Sequence, residues 1–191
     1  MSIIEIIAVI AGLICVYLVI KQSIWCWPAG LIQVTLYIYI FYEVKLYSDV
    51  ILHVIYVILN LYGWYHWLYG GKARDTLPVT DQATQTNITW LIFIAVGTLL
   101  WGWFMATNTD ASLPYPDAFT TVASLSAQWL MARKRLESWV LWIVVDIVAT
   151  IVYYIKGLYL TSGLYFVFLI MATVGLFSWR KSMLTSETST S

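Results

Sequence analysis

Charge is what this chain has least of. Lys, Arg, Asp and Glu make up 10% of its 191 residues, against about 25% in a soluble globular domain. With 61% hydrophobic residues and a mean hydropathy of +0.80, that scarcity excludes an ordinary soluble protein and points to an integral membrane protein. Lys plus Arg and Asp plus Glu number 10 each. No basic cluster or nucleic-acid module occurs, so no nucleic-acid partner is expected. The two cysteines, Cys15 and Cys26, fall near opposite ends of a pair of apolar runs; neither a disulfide nor a metal-ligand spacing is expected. There is no phosphate-binding loop, HExxH, paired acid or Ser–His arrangement, so the chain reads as neither an enzyme nor a primary pump, with no catalytic residue, metal or cofactor. Glu5 interrupts the first apolar run and no basic residue precedes it, which reads as a retained span rather than a cleaved signal peptide.

What is present is a series of long apolar runs. Seven spans are expected, at roughly 3–20, 24–43, 48–69, 88–107, 118–132, 136–155 and 158–179. These runs are too long for strands and lack the alternation a barrel needs, so the fold class is an all-α membrane protein. Residues 70–87, rich in Gly, Thr, Gln and Asp, read as the one linker, and the Ser/Thr-rich tail 182–191 as disordered. In the seven-span arrangement Lys21, Lys72, Arg74, Arg133, Lys134, Arg135, Arg180 and Lys181 fall on one side of the bilayer. Only Lys45 and Lys156 fall on the other. By the positive-inside rule this puts the N-terminus outside (periplasmic) and the C-terminus in the cytoplasm.

The chain repeats itself at an offset of 112 residues, as from Trp27 to Trp139. The same offset carries Tyr42 to Tyr154, Gly63 to Gly175, Trp67 to Trp179 and Lys21 to Arg133. Residues 1–69 form a first three-helix repeat, 70–117 a loop plus connector helix, and 118–181 a second three-helix repeat. One connector gives both triplets the same orientation. Parallel repeats are a transporter architecture, with the site between the halves near the midplane.

The sixth span departs from the repeat in an informative way. Trp139, Trp142, Asp146, Thr150 and Tyr153 are spaced 3, 4, 4 and 3, one face of a helix. The counterparts of Trp139, Trp142 and Asp146 are Trp27, Gly30 and Val34, so only the second half carries the full face. Conversely, His53, Tyr56, Asn60 and Trp64 of the third span face Tyr165, Phe168, Ala172 and Leu176 in the repeat. Polar chemistry therefore sits at the asymmetric positions, as one asymmetric ligand between similar halves requires. An ionisable group at membrane depth is a functional-site hypothesis by default. A carboxylate beside indole faces suits an organic cation; a proton on Asp146 or a purely structural acid are the other readings. Asn60, Gln33 and Gln128 either contact ligand or bond across helices. Trp64, Trp67, Trp27, Trp179 and Trp139 can equally be headgroup-level belt residues, and Tyr37 belongs to a tyrosine-rich run that is part packing and part belt. The candidate substrate-binding set is Trp139, Trp142, Asp146, Asn60, Gln33, Gln128, Trp64 and Tyr37.

The segments WCWPAGLIQVTLYIYIFYEVKLYSD, NLYGWYHW and AQWLMARKRLESWVLWIVVDIVATIVYYIKGLYLTSGLYFVFL resemble the PnuC family of bacterial vitamin transporters. That family is in turn similar to the SWEET sugar transporters, two three-helix bundles joined by a connector (3+1+3). The resemblance implies inner-membrane uptake of nicotinamide riboside by facilitated diffusion, feeding NAD synthesis, with a cytoplasmic kinase trapping the product. Related members carry thiamine or riboflavin. It implies that Trp139, Trp142 and polar side chains of the helical core line the site, and it implies a homotrimer. A thiamine carrier or a proton-coupled vitamin porter is the alternative.

Overall fold

A computed structural model describes residues 3–43, 47–71 and 77–188. Lys45, Lys72 and Arg74, which enter the charge asymmetry, and both chain ends lie outside the described residues. Seven helices follow in order: α1 (Ile3–Ile20), α2 (Cys26–Glu43), α3 (Tyr47–Tyr69), α4 (Thr84–Asn108), α5 (Pro114–Ala132), α6 (Glu137–Ile155) and α7 (Tyr159–Thr188). Four of them, α1, α4, α6 and α7, are long and apolar enough to cross a membrane by length and composition alone. Helix is the form that lets such segments satisfy every backbone group internally.

Three boundaries differ from the sequence reading. Helix α4 begins at Thr84 rather than 88, taking in the end of the stretch read as linker. Helix α5 begins at Pro114 rather than 118, because proline's missing N–H is an orphan anyway in a first helical turn. Helix α7 runs to Thr188 through most of the stretch read as disordered. Extending an established helix needs no new nucleus, so a weakly helical tail is carried along.

The helices pack as a closed ring in the order α1, α2, α3, α5, α6, α7 and back to α1, while α4 lies outside and packs on α5. The ring is two consecutive three-helix halves joined by a connector. The seams between the halves are α1/α7 and α3/α5, which are equivalent under the repeat. Gly97 and Gly102 let α4 approach α5: a methyl at Gly97 would meet Val122 at 3.0 Å, and one at Gly102 would strike the Tyr115 ring.

The turns also repeat. Gln22 and Lys134 both hold φ 55, in the left-handed region that non-glycine residues seldom enter. In the first, Gln22 N–H donates to Val19 O at 2.9 Å and Ser23 N–H to Leu18 O at 2.9 Å. In the second, Lys134 N–H donates to Met131 O at 2.9 Å and Arg135 N–H to Leu130 O at 3.0 Å. Each is the paired-bond ending that satisfies a helix's last carbonyls. The short first turn also brings the Cys15 thiol within 3.2 Å of Cys26 O. The two cysteines are thus neighbours across the hairpin rather than at its opposite ends, and both are free.

Lys21, Arg133, Lys134, Arg135, Arg180 and Lys181 share one end of the ring, called here the basic end. At the other end Lys156 Nζ donates to both Asp117 oxygens at 2.9 and 2.8 Å. With both side chains 26% exposed, that pair contributes at most about 1 kcal/mol.

Residues 77–83 are bound rather than a free linker. Thr80 pairs in parallel with Arg135, exchanging bonds with Lys134 O at 3.2 Å and Leu136 N at 2.9 Å. Arg135 Nη1 donates to Asp81 O at 2.8 Å, and Gln82 N–H to Glu137 Oε1 at 2.6 Å. Lys134 Nζ donates to Leu77 O at 2.8 Å and stands 4.7 Å over the Trp67 ring. Burial pulls its ammonium down to about 8. Extended polar backbone survives there because the α5–α6 turn supplies partners that would otherwise be water.

Candidate functional site

Four tryptophans close the ring at the basic end. Trp27 meets Trp67 edge-on at 5.2 Å, Trp67 meets Trp179 at 5.7 Å, and Trp179 meets Trp139 edge-on at 5.4 Å. All four are at most 3% exposed. The headgroup-belt reading of these four is therefore wrong: they face one another inside the ring. Trp25, 68% exposed, is placed as a belt residue would be. Glycine makes the cluster possible. A methyl at Gly175 would lie 2.6 Å from the Trp139 ring, and one at Gly63 would strike the edge of the Trp27 ring. Each edge-to-face contact contributes about 0.5–1.5 kcal/mol beyond burial.

Beyond this floor the halves diverge. On α6, Trp142 packs against two apolar clusters, one around the four tryptophans and one around Ile94, Ala123 and Val145. One turn further on is Asp146, 3% exposed. Thr150 Oγ1 donates to the Asp146 backbone oxygen at 2.7 Å. Among the described residues the carboxylate itself has no hydrogen bond or ion pair. Opposite charge is thus missing for a group that needs it when desolvated.

The first half carries amides where the second carries Trp142 and Asp146. Asn60, 4% exposed, donates from Nδ2 to Tyr56 O at 2.8 Å, within its own helix. Its Oδ1 lies over Gly30, where a methyl would meet it at 2.5 Å. The repeat mates reverse the sizes: Gly30 with Asn60 in one half, Trp142 with Ala172 in the other. Gln33 reaches α1 instead, its amide nitrogen 2.7 Å from where a Gly12 methyl would be. Tyr37 stacks at 5.6 Å on Phe41 and lies 5.6 Å from His53, which leads to Tyr56 at 5.7 Å. Trp64 is half-buried against the tryptophan cluster, and Gln128 is half-buried on α5. The structure brings Trp139 and Trp142 with Asp146 along one face of α6. It sends Gln33 to the α1/α2 contact and Tyr37 to an aromatic group of the first half.

One bond escaped the candidate set. Tyr56 Oη and Ser124 Oγ are 2.6 Å apart, joining α3 to α5 across a seam. Its signal was readable: their repeat mates are Phe168 and Gly12, neither of which can make such a bond.

A six-helix ring with a polar, asymmetric interior is a membrane-transport geometry. The model of the nicotinamide mononucleotide transporter family matches residues 2–181. This chain belongs to that family. Members are membrane transporters, not enzymes. The nicotinamide riboside transporter PnuC of Escherichia coli (strain K12) is 28% identical over 95% of this chain and 87% of its own. The riboflavin/roseoflavin transporter RibM of Streptomyces davaonensis is 31% identical over 93% of this chain and 83% of its own. A crystal structure of the vitamin B3 transporter PnuC matches the fold with a TM-score of 0.72, at 28% identity, over 94% of this chain and 81% of that one.

Proposed function

We propose that this member of the nicotinamide mononucleotide transporter family is an inner-membrane facilitator for nicotinamide riboside, working by alternating access and feeding NAD synthesis. The observation that carries the reading is Asp146, a buried carboxylate with no protein partner among the described residues, one turn from an indole face. Nicotinamide riboside is a pyridinium cation and offers such a site its missing charge. The names of the relatives leave other vitamins open, and charge separates them. Riboflavin is neutral and leaves Asp146 unpaired, while a mononucleotide adds a phosphate that Asp146 repels. Thiamine is a cation and stays the second reading. Asn60 and Gln128 are proposed to serve the ribose and carboxamide, with Trp64 and Trp139 as walls, while Gln33 and Tyr37, turned to α1 and to Phe41, are proposed to reach the ligand only when the halves rearrange. Among the described residues the buried indole N–H of Trp139 has no partner, and a ligand oxygen would satisfy it. The working division is 1–69, 70–117 and 118–181, with a homotrimer as the assembly and a cytoplasmic kinase as the functional partner.

The test is thermal stabilisation of the purified protein by nicotinamide riboside, thiamine, riboflavin and nicotinamide mononucleotide. Stabilisation grows as the logarithm of ligand over dissociation constant. The reading predicts a shift with nicotinamide riboside; a shift with riboflavin or the mononucleotide and none with the cations refutes it. Trp142→Ala is expected to weaken binding by about ten-fold or more through lost stacking and cation–π attraction, measured by calorimetry on the folded variant. The basic end is proposed to face the cytoplasm. A C-terminal reporter fusion is therefore expected to be active in cytoplasmic form, and periplasmic activity reverses the assignment.

A further inference from the structure

We infer that Trp67 and Trp179 form the gate of the basic end, held shut by two crossed hydrogen bonds that break together. The inference rests on the transporter reading above. Trp67 Nε1 donates to Met131 O at 3.1 Å, and Trp179 Nε1 donates to Val19 O at 3.0 Å. The donors are repeat mates, and so are the acceptors. Each bond leaves the third helix of one half and ends on the first helix of the other, one across each seam.

The remaining indoles behave differently. Among the described residues the buried N–H groups of Trp27 and Trp139 have no partner, and each of these rings packs against the tryptophan of its own half. Each half therefore carries a fixed pair, Trp27 with Trp67 and Trp139 with Trp179, seated on Gly63 and Gly175. Between the pairs the described ring contact is Trp67 on Trp179. The contact lies between the two halves at this end, where the proposed route for a solute runs. Rocking the halves apart separates that contact and both crossed bonds while the intra-half pairs stay whole.

The acceptors suit repeated opening. Val19 O and Met131 O each also accept the N–H of the left-handed turn residue, Gln22 at 2.9 Å and Lys134 at 2.9 Å. When the indole leaves, neither carbonyl is stranded. The gate thus loses only the indole's own bond, which keeps its closure reversible.

The experiment measures distances between spin labels on Lys21→Cys and Arg133→Cys, exposed repeat mates on the two turns. It is run in nanodiscs without substrate, in a Cys15→Ala/Cys26→Ala background. Trp67→Phe and Trp179→Phe keep an aromatic ring and remove the donor. Each is expected to raise the ratio of long to short distances about five-fold or more, and the pair to multiply. Trp27→Phe removes the same ring volume and an unpartnered N–H, and is expected to leave the ratio unchanged. Equal shifts for all three variants, or none for the first two, overturn the gate. If a Phe variant fails to fold, indole hydrogen exchange in the unaltered protein decides. Trp67 and Trp179 are expected to exchange at one common rate, and rates more than about ten-fold apart overturn concerted opening. No substrate enters either measurement, so a wrong vitamin assignment leaves the result standing, and vitamin binding with immobile labels ends the gate alone.

Discussion

Asp146→Asn is expected to weaken binding of a cationic vitamin by about 10- to 150-fold while the protein stays folded. The substitution keeps shape and most hydrogen bonding and removes only charge. A charge-assisted contact is worth about 1.5–3 kcal/mol, which converts to that range in affinity. Two other roles for the same carboxylate leave different patterns. A proton relay keeps affinity under Asn but loses the response of vesicle uptake to a pH gradient. A structural acid lowers the melting temperature with affinity unchanged in the folded fraction. Calorimetry, melting and pH-driven uptake together separate the three, and an unaltered affinity for nicotinamide riboside ends the counter-ion role.

The second large effect is expected at Gly63 and Gly175. In an ordinary exposed helix, Gly→Ala stabilises by about 1 kcal/mol through propensity. Here the added methyl collides with the ring of Trp27 or Trp139, both at most 2% exposed and unable to swing into solvent. Overpacking of this kind costs about 1–3 kcal/mol, so the sign reverses. Gly63→Ala and Gly175→Ala should each lower the melting temperature. Gly163→Ala, with nothing within 4 Å of its added carbon, should leave it unchanged or raise it. Trp27→Phe combined with Gly63→Ala should recover part of the loss, because the smaller ring vacates the space the methyl needs. Equal melting temperatures for Gly63→Ala and Gly163→Ala would show that the cluster is looser than its geometry.

Much of the architecture was legible in the chain because membrane helices announce themselves by length and apolar content, and a duplicated sequence announces its own symmetry. The start of α1 and the order of the seven helices were readable on these grounds. The roles of the tryptophans were not. An indole at a span end looks the same in sequence whether it meets lipid headgroups or another indole, and Trp25 and Trp27, two residues apart, take opposite fates. The bound state of 77–83 was equally hidden. Gly, Thr, Gln and Asp favour irregular backbone, and only a partner segment decides whether that backbone is free or paired.

By itself the sequence determined that this is a helical membrane protein built of two like halves with a connector, and that a lone carboxylate and its indoles mark the half that differs. Apolar run length and the offset between matching residues are properties of one dimension, so one dimension suffices to read them. The tertiary structure alone decided which groups close the ring. Trp67 and Trp179 find carbonyls in the opposite half, Trp27 and Trp139 find none among the described residues, and Tyr56 finds Ser124. Such choices depend on where two distant segments stand within about 3 Å and on donor direction, and no local pattern encodes that.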